Sequence, residues 1–162
     1  MRSIRISIQQ EDFNIQDECS AMRAGHRDIG ALATFTGLVR DIEDTDSETA
    51  RVRSLTLEHY PGMTEMSLQK IAEEADSRWS ILDVTIIHRI GELRAAEQIV
   101  FVAVSSLHRQ DAFSACSFIM DFLKTSAPFW KKSTTEAGEY WVEAKESDTR
   151  AAEKWAEGNQ KR

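Results

Sequence analysis

Strand-like runs that follow one another with no helix between them constrain this chain more than any other feature. Runs 82–90 and 98–105 are rich in β-branched residues and are joined only by the link from Gly91 to Glu97, which reads as a hairpin. Runs 129–132 and 140–143 flank a turn at Gly138 in the same way. Ile4, Ile6 and Ile8 alternate with polar residues as in a half-buried strand, and 52–59 carries Leu55 and Leu57 on one face before Pro61-Gly62 stops it. The run 30–40 is a strand interrupted by Gly37, and a glycine there marks a bulge or a close backbone approach.

Two segments have helical period instead. Leu68, Ile71, Ala72, Ala75 and Trp79 line one face of a helix for which Thr64 is a plausible N-cap. Ala112, Phe113, Cys116, Ile119, Met120 and Leu123 line the inner face of a helix over 109–126 that Pro128 ends. A short helix is expected over 15–27, with Gly25 near its end. The acidic stretch 41–50 reads as a mobile surface loop, and the polar tail from Ser147 as a frayed helix carrying Trp155. This order of elements gives an α+β fold: one domain over 1–162, with a largely antiparallel sheet and two main amphipathic helices.

Composition narrows the function classes. The chain has 162 residues, 41% of them hydrophobic, enough for one core. A net charge of -7 argues against general nucleic-acid binding, which needs a broad basic face, but leaves room for an anionic small molecule held by a few convergent cations. No apolar run is long enough to span a bilayer, the alternating start lacks the apolar stretch of a secretory signal, and two cysteines are too few for a disulfide framework. The expected compartment is the cytoplasm.

Lys124 and Lys131 flank the apolar stretch 126–130, and the turn at Pro128 is able to bring both amines to one cleft beside Phe129 and Trp130. Crowded, desolvated lysines titrate low and serve as acid, base, nucleophile or anion clamp. On spacing alone the plainer reading holds: Lys124 complements the helix dipole, and Lys131-Lys132 is a solvated edge. His108-Arg109 opens the second main helix, where backbone N–H groups and a guanidinium fork suit a phosphate or carboxylate; a surface arginine and a loop histidine is the equal alternative. Arg40 at a strand end is a weaker candidate. Cys116 lies on an apolar helix face and reads as inert core, and Cys19 has no activating neighbours. His26, His59, His88 and His108 are scattered, with no metal-ligand spacing, and no nucleotide-binding loop occurs.

Several longer segments go further. Residues 57–63 (LEHYPGM), 88–93 (HRIGEL), 118–125 (FIMDFLKT), 127–132 (APFWKK) and 141–144 (WVEA) resemble signatures of the large subunit of molybdopterin synthase, and the resemblance runs from about Gly30 to Trp155. It implies an α/β-hammerhead fold and a homodimeric core. It also implies a small ubiquitin-like subunit at each end of that core, whose C-terminal Gly-Gly carries a thiocarboxylate. The implied substrate is cyclic pyranopterin monophosphate, converted to molybdopterin by two sulfur transfers with no metal or redox cofactor. The family's catalytic lysines fall on Lys124 and Lys131, and its substrate-contacting segments on Leu38-Val39-Arg40, His108-Arg109 and Lys131-Lys132-Ser133.

Two positions depart from the family pattern. Leu38 stands where a lysine is common, which leaves a backbone contact there. Lys145 stands where an arginine is common; it keeps the charge that reaches the neighbouring subunit's pocket but loses the bidentate fork. The alternative to an enzyme is a module that docks the small subunit and does no chemistry.

Overall fold

The computed structural model describes residues 1–44, 49–142 and 146–156. In chain order the elements are β1 (Ser3–Gln9), α1 (Ile15–Arg23), β2 (Ala31–Leu38), β3 (Ile42–Asp44), β4 (Thr49–His59), α2 (Met63–Arg78), β5 (Ile81–Arg89), β6 (Gly91–Arg94), β7 (Gln98–Ser106), α3 (Arg109–Ser126), β8 (Phe129–Thr135), β9 (Gly138–Val142) and α4 (Glu146–Glu153). The α+β expectation holds.

One sheet runs β1-β5-β7-β2, with β1 parallel to β5 and the other pairs antiparallel. Its two central strands are covered on both faces, which is why they read as near-continuous apolar runs. Ile86, Val84, Val102 and Val104 face the main core shared with α2 and α3. Ile87, Phe101 and Ala103 face a smaller cluster with Phe13 and Met22 beneath α1. In the second sheet β4 is central, pairing with β3 near its start, with β6 on one side and with β8 on the other; β9 continues from β8.

Three expectations are corrected. The stretch 41–50 is not all loop: β3 pairs antiparallel with the start of β4, Asp44 opposite Thr49, and residues 45–48 lie outside the described residues. Backbone pairing needs no apolar pattern, so this polar strand pair carried no signal. Thr64 is not the cap of α2. That position is Gly62, at φ 83°, whose N–H donates to Glu65 Oε2 at 2.7 Å. Thr64 is buried in the first turn, where its hydroxyl accepts from the Tyr60 N–H and donates to the Pro128 carbonyl, both at 3.0 Å.

The tail, third, is docked rather than frayed up to Trp155. That indole packs edge-on against Trp79 and Phe118, and its Nε1–H donates to Asp121 Oδ2 at 2.8 Å. Trp155→Ala removes this packing and one hydrogen bond and is expected to cost about 2 kcal/mol, below a fully buried aromatic because the ring is only partly covered. A urea midpoint unchanged by the substitution would show that the tail does not contribute to the core.

Candidate active-site cleft

The cleft is built where the end of α3 meets the start of β8. Lys124 lies in the last turn of α3. The chain then turns at Ala127-Pro128, held by the Thr64 hydroxyl, and returns as β8. Strand alternation turns Phe129 and Lys131 toward the cleft. Trp130, expected there, is instead 47% exposed and does not line it.

The opposite wall is the end of β2. Gly37 pairs with Val100 but Leu38 pairs with Gln98, so Ile99 bulges out of register. Both readings of the strand glycine hold, because a Cβ on Gly37 would stand 2.6 Å from Val100 Cγ1. Beyond the bulge Leu38, Val39 and Arg40 line the cleft, with Leu55, Ile99, Val100, Met120 and Leu123 as its apolar surface and a volume of about 500 Å³.

The cleft therefore unites Leu38, Val39, Arg40, Lys124 and Lys131. Lys124 is 48% exposed, so the expected desolvation is absent in the single chain; its Nζ stands 3.6 Å from Asp148 Oδ1 of α4. Lys132 does not line the cleft: it pairs with Glu139 at 3.2 Å and lies over the Trp141 ring. Ser133 is fully buried on β8, and its hydroxyl has no hydrogen-bond partner among the described residues. His108 caps α3 and Arg109 opens it, at the far end of the helix from Lys124. Fifteen residues at 1.5 Å rise separate Arg109 from Lys124 by roughly 22 Å. Lys145 lies outside the described residues.

Two cleft residues had no role assigned from the sequence. Asp148 sat in the tail. His88 was visible only inside the HRIGEL segment. It is buried at the end of β5 and stacks on Phe129 with ring centroids 3.8 Å apart. Its Nδ1 lies 2.8 Å from the Arg89 carbonyl, which fixes Nδ1 as the protonated nitrogen of a neutral ring. Burial pushes this imidazole down to about 4; the Arg89 carbonyl opposes that, and the charges of Lys131 and His59 add to it. Cys116 is buried, and burial raises its thiol to about 11, as for an inert core cysteine. Among the described residues no group of three or more His, Cys, Asp or Glu side chains is placed to hold a metal ion, and no helix is long and apolar enough to cross a membrane.

Residues 8–126 match the MoaE protein family. The chain belongs to the MoaE family. The molybdopterin synthase catalytic subunit of Ralstonia nicotianae is 51% identical over 150 residues, covering 93% of this chain and 83% of that protein. Among solved structures, the molybdopterin biosynthesis MoaE protein from Burkholderia ambifaria superposes with a TM-score of 0.78 at 51% identity, over 96% of this chain and 99% of that one. A protein–protein complex of subunits 1 and 2 of molybdopterin-converting factor from Helicobacter pylori shares the fold, with a TM-score of 0.66 at 16% identity over 86% of this chain and 90% of that one. MoaE membership thus covers β2, β5, β7 and all of α3, the elements that form most of the cleft.

Proposed function

We propose that this chain is the catalytic subunit of a molybdopterin synthase. It works in the cytoplasm and converts cyclic pyranopterin monophosphate to molybdopterin. The sulfur donor is the C-terminal thiocarboxylate of a small ubiquitin-like subunit. The observation that carries this reading is the convergence of Arg40, Lys124 and Lys131 on one cleft with apolar walls. Its volume suits a small molecule, and cations beside low-dielectric walls attract an anion more strongly than the same cations in water.

Arg40 holds the substrate phosphate through charge-assisted hydrogen bonds. Lys124 stands beside the thiocarboxylate carbonyl. As sulfur leaves the acyl carbon for a pterin carbon, whose bond to oxygen breaks as that oxygen departs, water takes the place of sulfur on the acyl carbon; charge develops on the acyl oxygen, and the ammonium stabilises it or relays a proton. Lys131 completes the cationic wall. Cyclic pyranopterin monophosphate is expected to bind one per chain and to be displaced by inorganic phosphate, with Arg40→Ala weakening it at least about tenfold. Titration calorimetry checks this; a ligand indifferent to both phosphate and Arg40 would contradict it.

The chain acts as a homodimer carrying one small subunit at each end. The separation of Arg109 from Lys124 along α3 supports this, because a second copy then supplies His108 and Arg109 to the cleft. Lys124→Ala and Arg109→Ala chains, each inactive alone, are expected to recover about a quarter of normal activity when unfolded and refolded together: half the dimers are mixed, and one of their two clefts is intact. No recovery would mean that both residues act within one chain.

A further inference from the structure

The pairing of β2 with β7 ends at Leu38, yet the backbone of Val39 remains held on both sides. Its N–H donates to the Glu97 carbonyl at 2.9 Å, and its carbonyl accepts from the Ala96 N–H at 2.8 Å. The next residue is Arg40, in the cleft wall. Both partners of Val39 belong to a tight turn closed by the Glu97 N–H on the Arg94 carbonyl at 3.1 Å. Within that turn Ala96 has φ 70°, the one positive φ among described non-glycine residues. An alanine stays there only when its surroundings impose it, and such strain gathers where geometry matters to function.

A positive φ is what the third residue of such a turn takes, and the Glu97 carboxylate ties the turn in place. Oε2 accepts from the Arg94 N–H at 2.5 Å and Oε1 from Arg89 Nη1 at 3.4 Å. Arg89 is itself buried and anchored: Nε donates to the Gln10 carbonyl at 3.0 Å and Nη1 to the Gln98 carbonyl at 2.9 Å, with Asp12 Oδ1 3.8 Å away. A fixed cation thus holds a carboxylate that closes the turn, and the turn holds the residue before Arg40. Without the carboxylate, the Arg94 N–H loses its acceptor and the turn loses its tie to the buried arginine.

We infer that Glu97, held by Arg89, is a positioning residue for Arg40, locking the 94–97 turn that clamps Val39 and aims the arginine into the cleft. This rests on the function proposed above for Arg40. Glu97→Ala is expected to raise the KM for cyclic pyranopterin monophosphate about tenfold with kcat within about twofold, and Glu97→Gln, which keeps one oxygen for the Arg94 N–H, about threefold. In an Arg40→Ala background the same changes should alter KM less than about twofold, since the arginine they act through is gone. If Glu97→Ala does not fold, Glu97→Gln carries the cycle. Amide hydrogen exchange gives a readout independent of turnover: Val39 and Ala96 should exchange at least about tenfold faster in the variant, with Ile86 and Val102 unchanged. Additive KM effects, a fall in kcat alone, or unaltered exchange at Val39 and Ala96 would each overturn the inference. An unaltered chain without turnover would instead defeat the functional reading, and exchange would then decide the clamp alone.

Discussion

Lys124→Ala is expected to lower turnover at least about a thousandfold while leaving the fold intact. The rate loss follows from the role: removing a group that stabilises charge on a reacting acyl oxygen costs about a hundred- to a thousandfold, and loss of proton relay adds to it. The preserved fold follows from the surroundings. Lys124 is 48% exposed, and its ion-pair partner Asp148 is a partly exposed carboxylate 3.6 Å away. Such a pair contributes at most about 1 kcal/mol. Initial rates and urea midpoints measured together check both halves. Turnover within tenfold of normal would remove Lys124 from the chemistry. Lys124→Arg should not rescue, because a planar guanidinium does not reproduce a compact ammonium at the acyl oxygen.

Acid should weaken the fold through His88, in a pH range where carboxylates are still ionised. The imidazole titrates at about 4 in the folded chain against 6.5 in the unfolded one. Between those values the unfolded chain binds the extra proton, so stability rises with pH. The contribution is complete above pH 6.5. It falls by about 2 kcal/mol at pH 5 and by about 3 kcal/mol at pH 4. His88→Gln, which cannot take up the proton, should flatten the stability profile from pH 6.5 to 5, whatever it costs in lost stacking on Phe129. Parallel profiles for the two proteins would show that His88 is not held neutral.

How far the sequence went depends on whether the deciding interaction was local. The limits of α3 were legible because an apolar face and a following proline lie within one short window, and the bulge at Gly37 because only glycine admits Val100 that closely. The β3–β4 pairing was not, since backbone hydrogen bonds leave no pattern in acidic side chains. Trp155 looked like a stray aromatic in a polar tail, because Trp79 and Phe118 are distant in sequence.

The site divides the same way. Spacing alone left Lys124 and Lys131 as ordinary surface lysines, and the resemblance singled them out. Their meeting across Pro128 depends on a hydroxyl, Thr64, that had been read as a helix cap. The clamp of Val39 by Ala96 and Glu97 is made of backbone groups and a strained φ, which no residue pattern announces. The far placement of Arg109 was already implicit in the helix expected over 109–126, which sets Arg109 and Lys124 at opposite ends.

The most direct test of the central claim is a defined reconstitution of the unaltered chain with thiocarboxylated small subunit and cyclic pyranopterin monophosphate, with molybdopterin read as its fluorescent oxidation product. The expected result is product that requires all three components, with two thiocarboxylates converted to carboxylates for each molybdopterin formed. Tight binding of the small subunit with no product would contradict the account and leave a docking module in its place.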